Sequence, residues 1–438
     1  MPNNLLVSAQ DAVAKACKAG ADDAWVNVSR ERSVSFSYRD GNMEKVEEST
    51  SRGLSLRVYV DGRYSAHGTT DLRPDHLHAF IREAVELTRA LQPDPHRTIT
   101  DPALFADRAD IDLELLDPDL AALNRDRREQ WCREMDARAH DDARVISAEC
   151  SVFSGESKGV SASSNGFVGT SAGGYVGYST SVTVREDGDK RPEGMDYAVG
   201  RFLGTLPHPT EIAGGALRKA LSRIGSAKAP TQRTNMVVDP QAAVSLLART
   251  MGPASAAAIQ QKRSFWAGQQ GKRLFGARLT VRDNPLIARG LASRLFDGEG
   301  ISAKPRTIIE EGVVRNFYVD TYYGRKAGMT PTTGSPSNRI VTCGAKPLAE
   351  LIKDVGNGIY VTSWLGGNSD PTTGDFSLGL RGHLIVGGEI ATPVGEMNVT
   401  GNLANLWERL MVVGNDPYPY SSVQAPTLVF GDVQFSGS

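Results

Sequence analysis

Few residues in this chain combine a reactive type with a spacing that chemistry could use. Gly169-Thr170-Ser171-Ala172-Gly173 matches G-x-S-x-G, in which a strained strand-to-helix turn exposes a serine to a base and to oxyanion donors. The residues that follow, VGYSTSVTV, alternate as a strand does, so the required helix is missing and the match reads as a coincidence in a Gly- and Ser-rich strand. His76 and His78 stand two apart at a helix start, a spacing that sends them to different sides of the helix, and no Cys or carboxylate cluster joins them. Cys343, in RIVTCGAKP, could pair with His383 as nucleophile and base, but nothing local marks a lowered thiol pKa. The four cysteines, Cys17, Cys132, Cys150 and Cys343, are widely spaced and read as buried thiols rather than a disulfide framework or a zinc knuckle. Neither GxxxxGK[ST] nor a GxGxxG between strand and helix is present.

The elements that must carry these side chains are bounded by composition. A length of 438 residues suggests two domains. Apolar content of 40%, charged content of 23% and a mean hydropathy of -0.30 are near globular averages. A net charge of -2 with interspersed signs offers no attraction to nucleic acid or to an acidic membrane. No apolar run is long enough to span a bilayer, and the N-terminus reads as an amphipathic helix rather than a secretory signal, so a cytoplasmic protein without membrane contact is expected.

The expected fold class is α+β, with the 45 glycines pointing to many turns between strands. Asp40-Gly41 and Asp61-Gly62 mark hairpins, and Leu54, Leu56, Val58 and Val60 alternate as a buried sheet face. An amphipathic helix from Pro74 covers that sheet, residues 92–118 form an extended connection, and a charged helix runs from about Pro118 to His140 with a solvated face. Alternation from Ser147 to Val184 predicts long strands with small side chains, followed by the helix HPTEIAGGALRKALSRI. The polar link GSAKAPTQRT sets the expected boundary between an N-terminal α+β domain, residues 1–228, and a β-rich C-terminal domain, residues 229–438. There Asp239 and Pro240 start a helix striped by Val244, Leu247, Ala248 and Met251, which stops at Gly252-Pro253. Turns are expected at Asp297-Gly298, Glu311-Gly312, Gly366-Gly367 and Gly387-Gly388, with one more clear helix in GNLANLWERLMVVG and a last strand in PTLVFGDVQF.

Several ordered stretches resemble the TldD/PmbA proteins, also called modulators of DNA gyrase. These are residues 293–334, with an Arg-Lys-x-Gly turn at Arg325, Lys326 and Gly328; residues 360–394; residues 401–417; and GADDAWVNVS, GLSLRVYVDGRYSAHGTTDL and GMDYAVGRFL in the N-terminal half. The resemblance spans essentially the whole chain. In the TldD branch the helix opening the C-terminal domain carries His-Glu-x-x-x-His, with zinc on the histidines, the glutamate as base and a further cysteine ligand near the C-terminus. Zinc there would lower the pKa of a bound water whose proton the carboxylate takes. Aligned by its flanks, the motif falls on Ala248, Arg249, Thr250, Met251, Gly252 and Pro253, and the closing turn NDPYPYSSVQAPTL has no cysteine.

The resemblance therefore implies the TldE/PmbA branch: no cofactor in this chain, and zinc in a TldD-like metallopeptidase subunit forming a heterodimer with it. Together the two subunits would process unfolded or extended peptides in an enclosed cavity. Thr332, Thr333, Gly334, Asp370, Thr373, Gly374, Asp375 and Ser377 are then candidates for the cavity wall, although each also suits a tight turn capped by Asp and Thr side chains. Two alternatives stand beside this reading: an autonomous hydrolase using Ser171 or Cys343, and a binding or regulatory protein without enzymatic role.

Overall fold

A computed structural model describes residues 2–437. The N-terminal half is built on an antiparallel sheet of β1 (Asp23–Arg39), β2 (Asn42–Val60), β3 (Arg63–Thr69), β4 (Val145–Ser163), β5 (Val168–Val184) and β6 (Glu193–Gly200), in the order β3-β2-β1-β4-β5-β6. The Asp-Gly pairs make its first two turns: Asp40 and Asp61 both take φ of 48°, followed by Gly41 at 83° and Gly62 at 69°, the double positive-φ geometry that suits the twist of a hairpin. Leu54, Leu56, Val58 and Val60 are all buried, as their alternation requires.

Four helices cover this sheet: α1 (Pro2–Lys18), α2 (Pro74–Arg89), α3 (Arg125–Ala139) and α4 (Pro209–Leu221). Val26 and Val28 of β1 pack in one apolar cluster with α1 and α2, whereas Val34 and Phe36 pack in a second with α3 and α4. Residues of equal parity on one strand share a face, so both helix pairs lie on the same side, end to end along strands long enough to carry two cores. The charged α3 still buries Trp131, Cys132, Met135 and Ala139 at helical spacing. It begins at Arg125 rather than Pro118: Pro118–Ala122 is a 3-10 turn, and Asn124 caps the helix by accepting from the Arg127 N–H.

The C-terminal half holds a larger sheet of β7 (Gln232–Val238), β12 (Gly358–Ser369), β13 (Asp375–Val386), β14 (Glu389–Asn402), β15 (Leu410–Val413) and β17 (Leu428–Ser436), ordered β14-β13-β12-β7-β17-β15. An added β14–β17 pairing joins five of these strands into a ring. A smaller sheet runs β10-β9-β8-β11-β16, from β8 (Val281–Asn284), β9 (Arg306–Glu310), β10 (Val313–Val314), β11 (Asn338–Val341) and β16 (Val423–Gln424). The molecule is α+β, as composition and pattern indicate.

Helices here are α5 (Pro240–Met251), α6 (Ala256–Gln260), α7 (Thr321–Ala327), α8 (Leu348–Val355) and α9 (Leu403–Glu408). Thus α6, α7 and α8 add to the two helices expected, each too short for a periodic signal to stand out. Gly366-Gly367 is not a turn between strands. Both glycines have positive φ, 90° and 101°, inside β12, where the register to β13 slips between Trp364 and Gly367. The pair makes a bulge, and the reversal comes later, at Asp370–Gly374. Among the described residues no helix is long and apolar enough to cross a membrane.

Candidate functional site

Helix α5 starts where its sequence signals place it. The Asp239 carboxylate accepts the Gln241 N–H at 2.9 Å and the Tyr360 hydroxyl at 2.6 Å, and the Asp239 N–H donates to Val361 O at 2.9 Å. Cap and strand β12 are thus tied together. Burial raises the Asp239 pKa, opposed by these two hydrogen bonds. The inward face comprises Ala242, Ala243, Leu246, Leu247, Thr250 and Met251, while Val244 and Ala248 are only half-buried. The apolar stripe therefore sits about one position off the expected one and includes a polar residue, Thr250.

Thr250 is fully buried and is the polar centre of this region. Its hydroxyl donates to Leu246 O at 3.0 Å and accepts the Trp407 indole N–H at 2.7 Å, and its carbonyl accepts the Trp266 indole N–H at 3.0 Å. Both indoles are fully buried. Trp364 adds a third such bond, donating to Ala242 O at 3.0 Å. Beyond the helix, Ser264 donates to Pro253 O at 2.8 Å. The end of α5 is therefore fastened by indoles and a hydroxyl, both to the segment just beyond it at Ser264 and Trp266 and to the distant Trp407. No sequence pattern links Thr250 to Trp266 or Trp407, because the partners are chosen by packing.

Ala248, Arg249 and Pro253, the positions aligned with the TldD zinc motif, lie at this fastened end. Pro253 is buried, and Ala248 and Arg249 are half-buried. The Arg249 Nη1 reaches Ser369 Oγ at 3.5 Å. A methyl group, a guanidinium and a pyrrolidine ring present no lone pair to a cation, and the hydroxyl of Thr250 is already engaged. Among the described residues no group of three or more His, Cys, Asp or Glu side chains converges to hold a metal. Zinc does not fit the residues present.

The eight cavity-wall candidates fall into two separate groups. Thr333 and Gly334 pack around Asp297, whose Oδ2 accepts from Thr333 Oγ1 at 3.0 Å and from the Gly334 N–H at 3.1 Å, while the preceding Thr332 donates through Oγ1 to Phe317 O at 2.9 Å. Gly334 also lines a 290 Å³ cleft with Arg97, Glu299 and Tyr322. In that cleft burial raises the Glu299 pKa despite the Thr321 N–H at 2.8 Å. Asp370, Thr373, Gly374 and Asp375 form the β12–β13 turn: the Asp370 N–H donates to Asp375 O, and Thr373 Oγ1 donates to Asp375 Oδ2, both at 2.8 Å. Ser377 is exposed on β13 opposite Asn368.

Among the described residues, the other reactive side chains meet no base or nucleophile that would complete a catalytic set. Ser171 is exposed near the start of β5, which continues as a strand to Val184, and no histidine is among the residues lining the 730 Å³ cleft beside it. Cys343 is exposed, and partial burial of its thiol with the nearby Asp416 raises its pKa. His383 is buried with Nε2 at 3.0 Å from Ser222 O. His76 lies 3.2 Å from Asp71, and it and His78 are exposed. Cys132 and Cys150 are buried, with pKa values pushed up to about 12 by burial.

Residues 26–88 match PmbA/TldA metallopeptidase domain 1, residues 118–224 the central domain and residues 231–437 the C-terminal domain. The chain is 29% identical over 430 residues to Metalloprotease PmbA of Escherichia coli O157:H7, covering 95% of this chain and 93% of the relative. A solved structure from Bacteroides thetaiotaomicron VPI-5482, described as a modulator of DNA gyrase, is 36% identical with a TM-score of 0.96, covering 99% of this chain and 98% of that one. TldE from Thermococcus kodakarensis, 18% identical, shares the fold with a TM-score of 0.84 over 98% of this chain and 100% of that one. The chain belongs to the PmbA/TldD metallopeptidase family.

Proposed function

We propose that this chain is the subunit without zinc in a TldD/TldE-type metallopeptidase complex, a cytoplasmic heterodimer in which it shapes the path of an unfolded or extended peptide toward its partner's zinc. The observation that carries this reading is the end of α5. The positions aligned with ligands and base hold Ala248, Arg249 and Pro253, and the intervening Thr250 is committed to two buried indoles. Such an end offers no free lone pair to a cation, whereas a zinc site needs deprotonated or neutral lone-pair donors around an open position. The family's metallopeptidase character then requires a second chain to supply the metal-bound water.

The test is reconstitution. The pure chain is expected to hold no stoichiometric zinc and to cleave no unfolded peptide, and to support cleavage when mixed with a homologue carrying His-Glu-x-x-x-His. Stoichiometric zinc together with peptide cleavage by the isolated chain would overturn the proposal.

A further inference from the structure

A cleft of 790 Å³ lies between α4, the start of α5 and strands β12 and β13. Tyr360 stands opposite His383, and Ser363 opposite Arg381. Between these pairs the register slips at Thr362, and this extra residue brings Ser363 to the same face as Tyr360, beside Arg381 and His383. From α4's end Arg223 enters the same cleft, donating through Nη2 to Ser363 Oγ at 3.2 Å and through Nη1 to Glu193 O. Arg223 and Arg381 are thus neighbours. Burial, and then the charge of Arg381, lower the Arg223 pKa to about 10. Arg223 bonds only to neutral oxygens, and the Arg381 side chain makes no hydrogen bond or ion pair with any described residue.

Three acids lie near this pair. The charge of Glu193 raises the Arg223 pKa, but by less than burial and Arg381 lower it, and Arg223 bonds to the Glu193 backbone carbonyl rather than to its carboxylate. Asp239 lines the cleft, but its oxygens are engaged by Gln241 and Tyr360, and Asp196 is paired with Lys219 at 2.9 Å. Of the other cations lining the cleft, Lys219 is paired with Asp196 and Arg218 is exposed, so Arg223 and Arg381 are the two guanidiniums flanking Ser363. Two guanidiniums facing one cavity repel each other unless an anion lies between them, and planar forks of N–H donors match a carboxylate. The rim beside them is apolar: Met195 is 56% exposed and Ile390 47% exposed, with Trp364 close by. We propose that this cleft binds the C-terminal carboxylate of a peptide ending in an apolar residue, with Arg223 and Arg381 holding the carboxylate and Met195, Ile390 and Trp364 receiving the last side chain.

The inference rests on the peptide-handling reading only for its class of ligand. Its test needs no zinc subunit, so failure here leaves the reconstitution experiment standing. Fluorescence anisotropy with the full chain would compare a labelled ten-residue unstructured peptide ending in leucine as the free acid with the same peptide as its amide. The acid is expected to bind at least about tenfold more tightly, as a charge-assisted contact implies. Arg381→Gln should abolish that preference with the melting temperature unchanged, because the side chain holds nothing else in place, and Arg381→Lys should restore part of it. Equal binding of acid and amide, no binding of either, or a preference surviving in Arg381→Gln would overturn the proposal. Tighter binding of inorganic phosphate than of the peptide acid would assign the cleft to a free anion and overturn it equally.

Discussion

Thr250→Val isolates the polar fastening of α5 from its packing, because valine fills nearly the same volume and lacks the hydroxyl. The change leaves the Trp407 indole N–H, now 2.7 Å from Thr250 Oγ1, without an acceptor in a fully buried place. An orphaned buried donor costs about 1–3 kcal/mol. The lost donation to Leu246 O adds little, since that carbonyl lies inside the helix and keeps its backbone partner. At about 2–4 °C per kcal/mol for a unit of 150–250 residues, the melting transition followed by tryptophan fluorescence should fall by roughly 2–12 °C. Thr250→Ser keeps the acceptor and loses one methyl group, a cost of about 1 kcal/mol. In a Trp407→Phe background the Thr250→Val penalty should shrink, because no N–H remains to be orphaned. A Thr250→Val protein as stable as wild type, or a penalty of the same size in the Trp407→Phe background, would refute the reasoning.

Glu299 tests the cleft beside Tyr322. Burial raises its folded-state pKa above the ordinary 4.5, so the associated stability is complete below the unfolded value and is lost as pH rises through the folded one. Glu299→Gln keeps an acceptor for the Thr321 N–H and cannot ionise; stability measured from pH 4 to 7 should fall less steeply than in wild type. At Gly194 an added Cβ would lie 2.3 Å from Ala216 O and from Ala220 N, because β6 and α4 touch there backbone to backbone. Gly194→Ala should therefore cost roughly 1–3 kcal/mol or more in denaturant unfolding. Cys343, with its raised pKa, should alkylate more slowly than a free cysteine at pH 8, and Cys343→Ser should leave reconstituted peptidase activity unchanged.

Local rules reach a good deal of this molecule. The Asp-Gly hairpins, the alternating face of β2 and the Asp239-Pro240 start of α5 depend on residues within a few positions of one another, and all form as their chemistry requires. Gly366-Gly367 makes a bulge where the sequence predicts a turn, because both meet the same positive-φ requirement and only the pairing with β13 distinguishes them. The short helices α6, α7 and α8 give too few turns for a period to show, although the Gly328 and Gly356 that follow two of them, with φ of 66° and 68°, are stop signals legible in the sequence. At the candidate site the sequence marks the residues missing from α5 but not those that fasten it.

The sequence by itself determined the family, the α+β class and the residues that stand at the end of α5, because residue identity and order need no folding to be read. Only the tertiary structure decided that Thr250 would be gripped by Trp266 and Trp407, that Thr332–Gly334 and Asp370–Ser377 would lie around different centres, and that Arg223 and Arg381 would share one cleft. Those outcomes hinge on contacts between residues as much as 157 positions apart, such as Thr250 and Trp407. Packing sets the grip on Thr250, strand register and a single-residue bulge place Ser363 beside Arg381, and neither leaves a local trace in the chain.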